Sequence, residues 1–347
     1  MIRMKDVAKH AGVSVAAVSY VITGKPGVGE AVRERVLQSI RELNYEINLV
    51  ARGLKTDRTN AIGVILPDVT KLFFLNVLKG IMENAAREMY NITIFSSDFN
   101  FELERRLVTT LRANRVEGII LGSCVDRAYS HEWTLELTNN KNSPPIVSLE
   151  CLLDSRFVSS VVVNTRGLSA RLTQHLIDVG RRKILFIAGP LHIEYEYDHL
   201  EGYKDVLKRN SIPVRDNLIT TGDFMSKTAY DVVCTVLKKR IKFDAIQASN
   251  DQAAIGAIKA LQDHNISVPE NVAVCGYDNL FPSTLITPAI TTVSVPGYEM
   301  GAKAVEELLW RISNRDSKPR QHYLDAELII RASTQVENKT DWNLDNW

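Results

Sequence analysis

The stretch Ser14 to Val21, SVAAVSYV, carries the first readable chemistry of the chain. It reads as a stubby helix of small residues that follows Gly12 in KDVAKHAGVS. A helix that enters the major groove of duplex DNA up to its backbone needs short side chains, because bulky ones would hold it off. On this reading Val15, Ala16 and Tyr20 point at base edges, and Ser14, Ser19 and the helix N-terminus meet phosphates. Val15 and Ala16 offer only apolar contact, which suits thymine methyls. The competing reading of residues 1–45 is a helical oligomerisation bundle.

Catalytic chemistry is not legible. There is no P-loop, no GxGxxG after the first predicted strand, and FIAGP is not a nucleophile elbow. The histidines are scattered without carboxylate partners at readable spacing. Cys124, Cys151, Cys234 and Cys275 have neither metal-ligand nor redox spacing and read as buried reduced thiols. No enzyme, metal or cofactor is predicted.

The groove-reading helix needs a small core to hold it. Ala8 allows the close approach of two helices, Gly12 supplies the turn residue tolerant of positive φ, and Ser14 can cap the second helix. Val7, Val18 and Val21 pack with a third helix over 30–45, whose Val32, Val36, Leu37, Ile40 and Leu43 are predicted to share one face. Residues 1–58 carry ten Lys and Arg against six acids, whereas the whole 347-residue chain has a net charge of only +1. A basic head on a mildly acidic body suits a polyanion.

Beyond residue 60, short β-branched runs alternate with amphipathic stretches. AIGVILP (61–67), NITIFSS (91–97), VEGIILGS (116–123), PIVSLE (145–150), SVVVN (160–164), KILFIAG (183–189), NLITTGD (217–223), AIQASN (245–250) and VAVCGYD (272–278) read as strands. Helices between them predict βαβ units and parallel sheets, with ligand groups at the strand ends. So many strands predict two lobes: about 60–158 plus 293–320, and about 160–290 plus 321–335. One strand is predicted over 322–331, and the tail 336–347 reads as polar and frayed. No apolar run reaches the roughly 18–20 residues of a membrane span, and no signal-peptide core is present, so a cytoplasmic location is predicted.

Together, KDVAKHAGVS, AVSYVI, RERVLQSIRELNYEINLVARGLKT, IGVILPDVTKLFF, EGYKDVLK, SNDQAAIGAIKAL, VPENVAVCGYDN and ITTVSVP resemble the LacI/GalR family of bacterial transcriptional repressors. The resemblance spans nearly the whole chain. It implies an all-α helix-turn-helix domain (1–46), a hinge helix or linker (47–58), and an α/β two-lobed core like the periplasmic binding proteins (59–335). It also implies a dimer on a pseudo-palindromic operator, and no leucine-heptad tail after residue 336 points to a tetramer.

In such proteins the paired hinges insert a leucine between base steps of the minor groove, a position that falls on Leu54. Arg52 and Lys55 are then placed for phosphate or minor-groove contact. Nine residues, with Gly53 among them, are too few for a stable free helix, so this segment is expected to fold on DNA. Ile47 stands where relatives often have proline, and Tyr20 where they often have arginine.

The resemblance places a small-molecule effector, most readily a carbohydrate, between the lobes. Phe73, Phe74 and Phe224 would form apolar walls, and Asn250 and Asp278 would hydrogen-bond the ligand. His199 stands in for a ligand-holding arginine, and His192, Tyr195 and Tyr197 read either as an aromatic-rich rim suited to stacking on a sugar ring or as a solvated loop. The alternative is a regulator of the same shape governed by a protein co-regulator.

Overall fold

The computed structural model describes residues 2–23, 26–45, 59–139, 143–151, 153–154 and 156–335. The chain forms two units, Met1–Thr59 and Asn60–Trp347.

In the first unit, α1 (Met4–Ala11), α2 (Val15–Thr23) and α3 (Glu30–Glu42) enclose a core of Val7, Ala8, Ala11, Val18, Val21 and Val36. Gly12 ends α1 at φ 64°, the left-handed conformation that the tight turn requires. The Asp6 carboxylate accepts the Arg3 N–H at 2.8 Å, and Ser14 Oγ accepts the Ala17 N–H at 3.1 Å, so both helix starts have a side-chain acceptor. On α3, Val32, Val36 and Ile40 face inward with Leu43 beyond them, but Leu37 faces solvent. The 3.6-residue period explains this, because residue 37 lies about 100° round the helix from residue 36.

The second unit begins with β1 (Ala61–Leu66), α4 (Leu72–Arg87), β2 (Asn91–Ser96), α5 (Phe101–Ala113) and β3 (Gly118–Gly122). It continues through α6 (Ser130–Thr138), β4 (Ile146–Leu149), β5 (Ser159–Val163) and α7 (Thr165–Asp178). Then follow β6 (Ile184–Ala188), α8 (Glu194–Arg209), β7 (Ile219–Thr221), α9 (Ser226–Lys238), β8 (Ala245–Ala248) and α10 (Asp251–Asp263). The last elements are β9 (Ala273–Cys275), α11 (Pro282–Leu285), β10 (Thr292–Ser294), α12 (Gly297–Ser313), β11 (Gln321–Leu324) and β12 (Glu327–Ile329).

Two parallel sheets result. The first has the order β11-β5-β4-β3-β1-β2 and the second β7-β6-β8-β9, while β10 and β12 pair antiparallel. Strands such as β1 and β3 are buried on both faces, because helices cover each side of the sheet; this is why they read as unbroken apolar runs.

Lobe membership departs from the sequence reading at two places. The sequence pattern puts residues 160–164 in the second lobe, but Val147 to Leu149 of β4 align with Ser159 to Val161, which places β5 in the first sheet. The segment 322–331 is not one strand. β11 joins the first sheet beside β5, the chain leaves it after Leu324, and β12 pairs with β10. Residues 321–324 therefore belong to the first lobe. Arg331 to Thr334 anchor the chain in the second, where Ser333 accepts the Val274 N–H and donates its own N–H to Ala289, each at 2.9 Å. The chain thus passes between the lobes three times. Cys124, Cys151 and Cys275 are buried, Cys234 is half-buried, and all four are free thiols.

Candidate functional sites

On α2 the inward and outward faces separate cleanly. Val18 and Val21 are buried, whereas Ser14, Val15, Ala16 and Tyr20 are exposed and Ser19 is half-buried. Val15 and Tyr20 expose 47% and 44% of their surface on the outward face of α2. Arg52, Leu54 and Lys55, together with Ile47 and the tail 336–347, lie outside the described residues.

The second site is a cavity between the two lobes of the core. Phe73, Phe74, His199, Phe224, Asn250 and Asp278 all line it, so segments far apart in sequence converge there. Phe73 and Phe74 sit in the first turn of α4, at the C-terminal end of β1, with their rings edge-on at 5.2 Å. Phe224 adopts φ 68° in the loop before α9. Its ring stacks on Phe99 at 5.5 Å and faces Tyr195 at 6.3 Å. It also covers the backbone of Gly189, where a Cβ would come within 2.3 Å of the ring.

Asn250 does more than the sequence reading expected. Its Oδ1 caps α10 by accepting the Ala253 N–H at 2.8 Å, and its Nδ2 donates to the Phe224 carbonyl at 3.3 Å. It fixes the aromatic wall as well as lining the cavity. Asp278, at φ 98° just after β9, points a carboxyl into the cavity that accepts no hydrogen bond among the described residues. Burial pushes this carboxyl well above the usual range.

His199 is 4% exposed and lies edge-on to Tyr277 at 4.4 Å. Burial pulls its pKa down to about 3, so the ring is neutral. It therefore cannot replace the charge of an arginine.

Other lining residues escaped the sequence reading. Phe99 and Glu150 sit just beyond β2 and β4, where open α/β sheets present ligand groups, and that position was the available signal. Glu196 lies one helical turn before His199 on α8 and accepts the Gly189 N–H at 2.7 Å. Burial pushes Glu196 up to about 8, and it does the same to Glu150. Of the predicted rim, Tyr195 enters the cavity. Tyr197 instead stacks beneath the Arg127 guanidinium at 3.8 Å, and His192 is exposed, with its carbonyl accepting the Arg127 N–H at 3.0 Å.

These last contacts close one mouth of the cleft. Asp126 and Ile193 form an antiparallel bridge beside them, and the Cys151 thiol donates to Glu194 at 3.5 Å. With the Phe99–Phe224 stack spanning the lobes, about 50 Å³ of cavity remains.

A helix-turn-helix head with one side of its second helix exposed, and a two-lobed parallel-sheet core with an interlobe cleft, define a class: a DNA-binding regulator with an effector-binding domain. Comparison with known proteins gives the family. The model of the bacterial regulatory proteins of the lacI family matches residues 3–48, and that of the periplasmic binding proteins and sugar binding domain of the LacI family matches residues 59–332. Catabolite control protein A of Priestia megaterium is 34% identical over 316 residues, covering 90% of this chain and 92% of the relative. The ribose operon repressor of Escherichia coli (strain K12) is 31% identical over 335 residues, covering 96% and 100%. The lac repressor dimer bound to operator and the anti-inducer ONPF matches with a TM-score of 0.87 at 25% identity, over 96% of this chain and 99% of that one. The chain belongs to the LacI family of transcriptional regulators and is not an enzyme. Among the described residues, no helix is long and apolar enough to cross a membrane.

Proposed function

We propose that the protein is a cytoplasmic repressor that reads a pseudo-palindromic operator as a homodimer. A small carbohydrate in the interlobe cleft sets its affinity for that operator. The observation that carries the proposal is the convergence of six motif-derived residues on one aromatic, polar-tipped cavity.

On the DNA side, the exposed face of α2 is nearly bare of bulk except for Tyr20, and Ser14 and Ser19 flank it. Val15, Ala16 and Tyr20 read base edges, the serines hold phosphates, and Leu54 wedges open a minor-groove step with Arg52 and Lys55 beside it. Homodimerisation is supported by Leu75, Met82 and Met89, exposed at intervals of seven along and just past α4, with Ile94 exposed on edge strand β2. On the effector side, the closed cleft must part to admit a sugar, and a ligand that favours one lobe angle shifts the population.

The test is operator selection on random duplex DNA with the full chain, repeated with a panel of sugars. Recovery of a pseudo-palindrome, with affinity shifted by one compound, is the expected result. Leu54→Ala should then weaken the selected operator at least about tenfold while the core stays folded. Undiminished binding by this variant would remove the wedge from the proposal.

One observation favours a second reading, a same-shaped regulator governed by a protein co-regulator. The free cavity of about 50 Å³ is far below the roughly 300 Å³ at which ligand pockets begin. A selected operator whose affinity no small compound shifts would support that reading over the first.

A further inference from the structure

We propose that the effector of this cleft carries a protonated amine, as an amino sugar does, because three carboxyls and a stack of three aromatic rings line one cavity whose single lysine or arginine, among the described residues, is Lys71. The inference rests on the cleft being the effector site. Glu150, Glu196 and Asp278 come from three separate elements and all line the cavity. Among the described residues the lysine or arginine that lines it is Lys71, whose ammonium contacts Met225 Sδ. His199, buried and neutral, supplies no second charge.

The carboxyls are under-supplied with donors. Glu196 accepts one backbone N–H, from Gly189. Those of Glu150 and Asp278 accept none among the described residues. Burial disfavours the charged form of each, and each carboxylate raises the cost of the next. A cation placed among them removes both penalties, whereas a phosphate or carboxylate adds a further like charge. The rings of Phe99, Phe224 and Tyr195 line the same cavity and stack on one another, so a ligand that parts this stack meets a π face, the second element of ammonium recognition.

Ser249 is the independent sign of a ligand. It is 4% exposed, lines the cavity, and its hydroxyl has no hydrogen-bond partner among the described residues. A buried hydroxyl left unpaired costs stability unless something completes it. A ligand hydroxyl would do so, which favours a polyhydroxylated amine over a purely aliphatic one.

The test is isothermal titration calorimetry of the full chain at neutral pH with matched sets of hexoses. Each set holds the neutral sugar, its 2-amino-2-deoxy form, the N-acetylated form and the 6-phosphate. In one set the amino sugar should bind at least about tenfold tighter than its neutral and N-acetylated partners, and the phosphate should not bind. Glu150→Gln keeps the shape but removes the charge, so it should lower the affinity of the amino sugar to that of its neutral partner and so abolish the preference; an unchanged far-UV circular dichroism spectrum and a cooperative unfolding transition confirm its fold. Equal or tighter binding of the neutral, N-acetylated or phosphorylated member would overturn the charge inference and leave the cleft reading standing. Silence from every sugar would overturn the carbohydrate reading and this inference with it.

Discussion

The buried and half-buried carboxyls of the core fall into two kinds. At the edge of the first sheet, Glu307 on α12 is 1% exposed and fully partnered. Arg320 and His322 hold one oxygen, at 2.6 and 2.8 Å, and the Ser159 hydroxyl donates to the other at 2.9 Å. Together these partners hold Glu307 below the usual carboxylate range despite its burial. Glu104 is likewise surrounded, accepting from Ser123, Cys124 and Trp133 at 2.7 to 2.9 Å. In the cleft, Glu150 and Asp278 have no such partners. The difference separates two uses of the same side chain. Where a carboxyl pins elements together the fold completes it, and where it lines the cleft the fold leaves it incomplete, as the proposed ligand site requires.

The largest effect should come from breaking the completed kind. Glu307→Ala strands Arg320, His322 and Ser159 across α12, β5 and β11, and should cost about 3–5 kcal/mol in urea unfolding of the core. If the loss were below 1 kcal/mol, this network would not be what joins β11 to the first lobe.

The cleft should behave in the opposite sense. Asp278→Asn replaces a poorly solvated carboxyl by a neutral amide of the same shape. The unliganded core should become more stable at pH 8, by about 1 kcal/mol, even though ligand binding suffers.

The pH dependence has two limbs. Glu150 and Glu196 are raised in the folded state to about 8, so their contribution is complete below about pH 4.5 and is lost as pH rises through 8. Glu307 is lowered, so its contribution is present above about pH 4.5 and is lost as pH falls below it. Thermal unfolding across this range should therefore show stability declining toward alkaline pH, and Glu150→Gln should flatten that limb alone. A limb that stays as steep in this variant would mean that Glu150 is not one of its sources.

The smallest expected contrast is between two serines. Ser249→Ala removes an unpaired buried hydroxyl and should stabilise the unliganded core by about 1 kcal/mol, whereas Ser159→Ala removes a donor to Glu307 and should cost about 1–2 kcal/mol.

The two halves of the molecule were not equally legible in the sequence. The helix-turn-helix rests on local rules, so Ala8, Gly12, Ser14, Val18 and Val21 could be given their places from spacing alone. The pocket residues were reached through motifs, and those motifs lie at strand ends and helix starts, where short-range geometry fixes direction. Lobe membership was harder to read. Whether β5 pairs with β4, and whether 322–331 is one strand or two, depends on partners as far apart as Ser160 and Gln321. Phe99, Glu150 and Glu196 were missed for a similar reason, since an acid or a phenylalanine after a strand looks alike whether it faces solvent or a neighbouring lobe.

The three passages of the chain between the lobes have a consequence for what the molecule can report. Three side-by-side connections resist sliding and twisting more than bending, so the lobes retain essentially one soft coordinate, the angle between them. On the function proposed above, a guest in the cleft would be registered as a position along that single coordinate. Guests of quite different outline that set the same angle are synonyms to the rest of the protein, and two of similar outline that set different angles carry opposite meanings.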